Sequence, residues 1–219
     1  MTTHRDQPAT RRQPGELSPR RQATRERILD AAVQLFAERG VLAASVEEIC
    51  DRAGFTRGAF YSNYETKNDL CLDLLRRKGE LYLAAVQAAI EVIPETPGMD
   101  GPERLIHDAV SVFLEAQPKQ PAELVTMMEL RLHAVRTPEL RDGWLAVHDS
   151  IQESVAGLVE IAMARVGVTL AMPTADVVEL LGAVYENTVS MSLLRGESAP
   201  TGLGEQLAAL LNAFIVGDC

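Results

Sequence analysis

The residues best suited to gripping a specific partner lie close together in the chain. Thr56-Arg57-Gly58-Ala59 follows Gly54 and precedes Tyr61, Asn63 and Lys67. Arg57 carries a planar fork of donors that matches a guanine edge or a phosphate. Gly58 and Ala59 are small, so the backbone there can approach a surface closely, and Ala59 could touch a thymine methyl. Tyr61, Asn63 and Lys67 offer a hydroxyl, an amide and a point charge, groups able to hydrogen-bond a polar partner. This is binding chemistry. His4, His107, His133 and His148 are scattered, with no Ser/His/Asp pattern, no Gly-rich phosphate loop and no zinc-binding His pair. Cys50, Cys71 and Cys219 have no metal-ligand spacing. Neither metal nor cofactor is expected, and no enzyme.

Holding Arg57 in place requires short helices with defined ends. Ser45-Val46-Glu47-Glu48 is a capping box, in which hydroxyl and carboxylate satisfy the free amides of a helix start. Val46, Ile49, Cys50 and Ala53 then form one apolar stripe, which Gly54 ends. Thr56 can cap a second short helix, Arg57 to about Tyr61. A longer first helix runs from Pro19 or Arg20 to Arg39, with Ile28, Ala32, Leu35 and Phe36 at helical spacing and Gly40 as its stop. Thr66 caps a fourth helix that reaches about Ile93. Two short helices about a glycine turn, behind a longer one, are the parts of a helix-turn-helix.

The residues themselves carry more than the geometry. Ile28-Leu29-Asp30-Ala31-Ala32, Leu35-Phe36-Ala37-Glu38-Arg39-Gly40, Ser45-Val46-Glu47-Glu48-Ile49 and the run from Ala53 to Leu70 closely resemble the TetR family of bacterial regulators. The match covers about 45 residues and does not extend past residue 90. It implies an all-α fold of about nine helices: a three-helix DNA-binding head at 20–66, joined by a long helix to a helical ligand-binding and dimerisation body at 67–219. It implies that Ser45, Thr56, Arg57, Gly58, Ala59, Tyr61, Asn63 and Lys67 face DNA. Tyr61 and Lys67 stand where the family has phosphate contacts, while Phe60 and Tyr64 read as core. Tyr64 replaces the more usual Phe, and Asn63 stands where His or Tyr is common.

Beyond residue 100, Pro102, Pro121, Pro138 and Pro173 stand at expected first turns and bracket five helical patterns, at roughly 102–117, 121–135, 138–167, 173–195 and 203–216. The last two are apolar on more than one face, and a second apolar stripe needs a partner. The resemblance implies a homodimer interface there, with Leu181, Val184, Met191, Leu207, Leu211 and Phe214 as candidates. Phe113, Met127, Met128, Arg131, Trp144, His148 and Tyr185 mix soft, aromatic and polar groups in a way that suits a small-molecule pocket.

Net charge is −10, yet residues 1–80 hold 14 Lys and Arg against 12 acids, and residues 81–219 hold 7 against 19. A basic head on an acidic body fits a DNA partner. Residues 1–19, polar with three prolines, read as a disordered basic arm. No run is long and apolar enough to span a membrane, and no apolar core follows the early arginines as in a signal peptide. A reduced cytoplasm is the expected setting. The expected function is a repressor that binds a palindromic operator as a dimer and is released by a small-molecule effector. An architectural DNA binder without effector, or a small-molecule binder with a vestigial head, stays open.

Overall fold

The computed structural model describes residues 18–94, 102–115, 117, 120–197 and 200–216. Most of the expected basic arm and Cys219 lie outside these residues. Among them are nine helices: α1 Pro19–Ala43, α2 Val46–Ala53, α3 Arg57–Tyr61, α4 Lys67–Glu91, α5 Pro102–Glu115, α6 Pro121–Arg136, α7 Pro138–Val166, α8 Thr174–Leu194 and α9 Leu203–Ala213.

Local chemistry accounts for the boundaries. Ser18 Oγ accepts from Arg21 N at the start of α1. Gly40 kinks α1 near its end, with φ 78°. Ser45 and Glu48 form the expected box, with Glu48 N donating to Ser45 Oγ (3.2 Å) and Ser45 N to Glu48 Oε2 (2.9 Å). Thr66 and Asp69 repeat the device at α4. Prolines sit in the first turns of α6 and α7. One feature was not expected. Strands β1 Thr169–Leu170 and β2 Ile215–Val216 pair antiparallel, tying the chain after α9 to the start of the α7–α8 loop. They are too short to alternate, so no periodicity announces them.

The head core gathers Ile28, Leu29, Phe36, Ile49, Phe60 and Leu70, all fully buried. Each side chain of this kind contributes roughly 1.5–3 kcal/mol on burial. The core does not stop at residue 66. Leu74 and Leu75 of α4, Leu130 and Ala134 of α6, and Leu140 and Trp144 of α7 belong to the same apolar cluster. A second cluster fills the body, from Val86 and Ile90 through Ile106, Val155 and Met163 to Val177 and Leu211. Helix α4 contributes to both. Thr126 of α6 donates to the carbonyl of Val33 in α1 (2.7 Å, buried), a direct fastening of body to head.

Candidate nucleic-acid interface

The turn between α2 and α3 sets the direction of α3. Gly54 has φ 72° and ψ 37°, a left-handed conformation that residues with a Cβ adopt only at a cost. Arg27 of α1 holds this corner from behind. Its Nη2 donates to Ala53 O (2.7 Å), and its guanidinium lies 4.6 Å from the Phe55 ring centroid. Phe60 anchors α3, fully buried and in edge contact with Tyr61 at 5.4 Å. With that face buried, Thr56, Arg57, Gly58 and Tyr61 are left exposed, and Ala59 is half-buried.

Thr56 occupies the N-cap of α3, but its side chain makes no capping hydrogen bond. The hydroxyl therefore stays available beside Arg57. Arg57 Nη1 lies 2.6 Å from Glu47 Oε1 of α2, and its Nη2 is 3.5 Å from the Tyr61 hydroxyl. An exposed pair of this kind is weak. The guanidinium also lies 5.7 Å from the Tyr61 ring centroid. Ser45 is half-buried at the start of α2 with its box intact.

Two expected phosphate contacts are already engaged. Lys67 Nζ donates to Val41 O (2.7 Å) and Ala44 O (2.9 Å), the carbonyls after the Gly40 kink. One of its three donors remains. Burial holds the ammonium below the ordinary lysine value. Asn63 receives a hydrogen bond from Arg21 Nε (3.1 Å), and its own amide donates to Ala59 O (2.8 Å) and Ser62 Oγ (3.3 Å). Arg21 also donates to Ser62 O (2.7 Å). The start of α1 is thereby tied to the end of α3.

The sequence reading missed what locks the head to the long helix. Asp73 of α4 is 3% exposed. It accepts from Arg25 Nε of α1 (2.6 Å), from a second nitrogen of the same guanidinium, and from the Tyr64 hydroxyl (2.7 Å). Burial alone would raise the Asp73 carboxyl, but the hydrogen bonds from Arg25 and Tyr64 outweigh it and lower the pKa. Desolvation and the Asp73 contact push the Tyr64 phenol far above its usual value. The hydroxyl that distinguishes Tyr64 from a Phe was the available signal.

In the body the expected pocket residues are dispersed. Trp144 is buried in the head cluster, and Met127 packs against it. Phe113 and Tyr185 meet in another region at 6.3 Å, joined by Tyr82 at 5.3 Å from Phe113. Met128 is 53% exposed, Arg131 pairs with Glu186 across two hydrogen bonds (2.6 and 2.7 Å), and His148 is half-buried. Helix α6 along its length and the early turns of α7 dock on the head, so their apolar faces are spent there.

The expected dimer residues divide too. Leu207 and Leu211 are buried in the protomer's own core, and Leu181, Val184 and Phe214 are half-buried against it. Met191 is exposed and shares a helical stripe with Leu180, Ala183, Asn187 and Leu194. Leu194 is 79% exposed. The free apolar face of α8 is therefore displaced from most of the residues that composition singled out.

Among the described residues no helix is long and apolar enough to cross a membrane, and no group of three or more His, Cys, Asp or Glu could hold a metal ion. Cys50 and Cys71 are buried thiols, and burial pushes Cys71 up to about 12.

Comparison with known proteins agrees with this geometry. Residues 28–74 match the family model described as bacterial regulatory proteins, tetR family. The chain is 32% identical over 154 residues to the HTH-type transcriptional regulator AcrR of Shigella flexneri, covering 65% of this chain and 67% of that one. It is 25% identical over 196 residues to the HTH-type transcriptional regulator UidR of Escherichia coli K12, covering 88% of this chain and 95% of the relative. The crystal structure of the multidrug binding protein EbrR complexed with imidazole superposes with a TM-score of 0.59 at 25% identity, over 89% of this chain and 96% of that one. With this likeness spanning head and body, the chain belongs to the TetR family of bacterial transcriptional regulators.

Proposed function

We propose that this regulator is a homodimeric repressor that reads a palindromic operator through α3 and leaves it when a small molecule binds the body. One observation carries the reading. The start of α3 brings together an exposed arginine, an exposed glycine, a half-buried alanine and an exposed tyrosine. In helix-turn-helix docking that end of the recognition helix reaches base edges, and a bidentate arginine selects guanine. Gly58 and Ala59 let the backbone approach, and Tyr61 faces the phosphates.

The α8 stripe of Leu180, Ala183, Asn187, Met191 and Leu194 supports the dimer. A two-fold pair would set two α3 helices ~34–36 Å apart, in successive major grooves. Release needs an element that the body can move. Helix α4 supports this role, since it carries the Asp73 lock at its head end and Tyr82 in the body. A ligand that favours a tilted α4 would alter the spacing of the two heads. A typical coupling of ~1–3 kcal/mol would weaken DNA binding by about 5- to 150-fold. EbrR, a structural relative complexed with imidazole, supports small-molecule binding by this body.

The test is selection of bound duplexes from a random pool, footprinting of the winner, and a search for compounds that release it. Two inverted half-sites and at least one releasing compound are expected. An asymmetric single half-site would overturn the dimeric reading. DNA bound without sequence preference would point to an architectural binder instead.

A further inference from the structure

One buried charge in the body is left without a hydrogen-bond partner among the described residues. The Nζ of Lys78, on α4, is closed off from solvent, and no protein acceptor among the described residues lies within hydrogen-bond reach. Ammonium groups are rarely buried without a partner, because desolvation is costly unless a counter-charge compensates. The two carboxylates near enough to act on it are Glu123 of α6 and Glu186 of α8. Glu186 is engaged by Arg131 through two hydrogen bonds, and Glu123 forms no ion pair with Lys78.

A second orphan lies just past the neighbouring helix α5. Gln117 is buried, and its Oε1 lacks a donor while its amide nitrogen reaches only Phe113 O (3.4 Å). Tyr82 meets Phe113 edge-on, and Ile90 and Ile106 share one cluster, so α4 and α5 run antiparallel. Lys78 lies one turn before Tyr82, and Gln117 one turn after Phe113. The antiparallel pairing brings both orphans to the same end of the Tyr82–Phe113–Tyr185 ring cluster. Lys78 Nζ and Gln117 Oε1 make no hydrogen bond to each other or to any other described residue, and Glu123 and Glu186 act on the ammonium only from beyond hydrogen-bond reach.

We infer that Lys78 is the anion-binding residue of the effector site, and that the effector is an organic acid. Its carboxylate meets Lys78, and its apolar ring or chain lies against Tyr82, Phe113 and Tyr185. The inference rests on the effector reading proposed above and names the ligand's chemical class. A monocarboxylate fits because a single charge needs compensation. Charge-assisted contacts in a desolvated site favour the acid strongly over its neutral amide.

The probes are 4-phenylbutyrate and octanoate, with 4-phenylbutyramide, octanamide and octylamine as matched controls, used on the full chain. The acids should raise the melting temperature by about 5–10 °C at 100 times their Kd. Lys78→Met should keep the fold, melt no lower than wild type because it removes an uncompensated charge, and bind the acids at least about tenfold more weakly. Lys78→Arg should retain part of the response. Release of selected DNA is measured in parallel, which separates the two claims. Acids that bind through Lys78 without releasing DNA would uphold the anion site and sink the effector reading. Amides or amines that release DNA equally from wild type and Lys78→Met, with no binding of the acids, would uphold the effector reading and sink the anion site. A Lys78→Met protein that is much less stable than wild type, with neither acid bound by wild type, would overturn the inference in favour of a structural lysine.

Discussion

Asp73→Ala should be among the most disruptive single changes in the head, although the residue lies outside the helix-turn-helix. It removes a 3% exposed carboxylate that receives hydrogen bonds from Arg25 and Tyr64. Breaking a buried ion pair by deleting one partner costs ~3–5 kcal/mol. The Arg25 side chain is 31% exposed and can turn to water, which favours the lower end of that range. About 3 kcal/mol is expected, or ~6–12 °C in melting temperature for a chain of this size. Tyr64→Phe loses one hydrogen bond to a charged group and should cost ~1.5–3 kcal/mol. Because the folded-state pKa of Asp73 is depressed, the folded protein holds this carboxylate more readily ionised than the unfolded chain does. The stabilisation is therefore fully present above the ordinary carboxyl pKa of ~4 and is lost as pH falls through the lower folded value. Urea unfolding of wild type and Asp73→Asn should show a gap that is constant from pH 6 to 8 and closes below about pH 4. If Asp73→Ala and Tyr64→Phe each cost under ~0.5 kcal/mol, or the gap does not change with pH, the lock is not what joins head to α4.

Lys67→Ala should act twice: it should lower the melting temperature by freeing the carbonyls of Val41 and Ala44, and it should weaken all DNA alike. Loss of affinity with unchanged melting would assign Lys67 to phosphate alone. Leu180→Glu with Leu194→Glu should give a folded monomer by analytical ultracentrifugation, whereas Leu207→Asp should unfold the protein; a soluble dimer from the double variant would put the interface elsewhere. Glu47→Gln should free Arg57 and raise affinity for scrambled DNA by up to about fivefold at low salt, and no change would show that the pair does not compete with DNA.

The helix-turn-helix was legible because its signals are local. Ser45 with Glu48, Thr66 with Asp69 and Gly54 specify caps and a turn within a few residues of themselves. Helix boundaries in the body followed from prolines for the same reason. What was not legible depends on distant partners. Asp73 on its own looks like an ordinary surface acid of α4, and it is Arg25, 48 residues earlier, together with the Tyr64 hydroxyl that makes its burial tolerable. Trp144 and Met127 looked suited to a pocket, but composition does not reveal that α6 and α7 begin against the head. Leu207 and Leu211 were apolar enough for an interface, yet helical rotation turns them inward and leaves Leu180, Met191 and Leu194 outside. Arg21 and Asn63 likewise lie 42 residues apart and meet only because α1 passes behind the end of α3.

The central claim is that Arg57 reads a base from the start of α3. Binding of wild type and Arg57→Ala should be titrated at several salt concentrations, on the selected operator and on a scrambled duplex of equal length. The account predicts a loss of about 10- to 100-fold per half-site on the operator, relaxed preference at one base pair in each half-site, and little loss on scrambled DNA. An equal loss on both duplexes, with the salt slope reduced, would make Arg57 a phosphate contact and contradict the account.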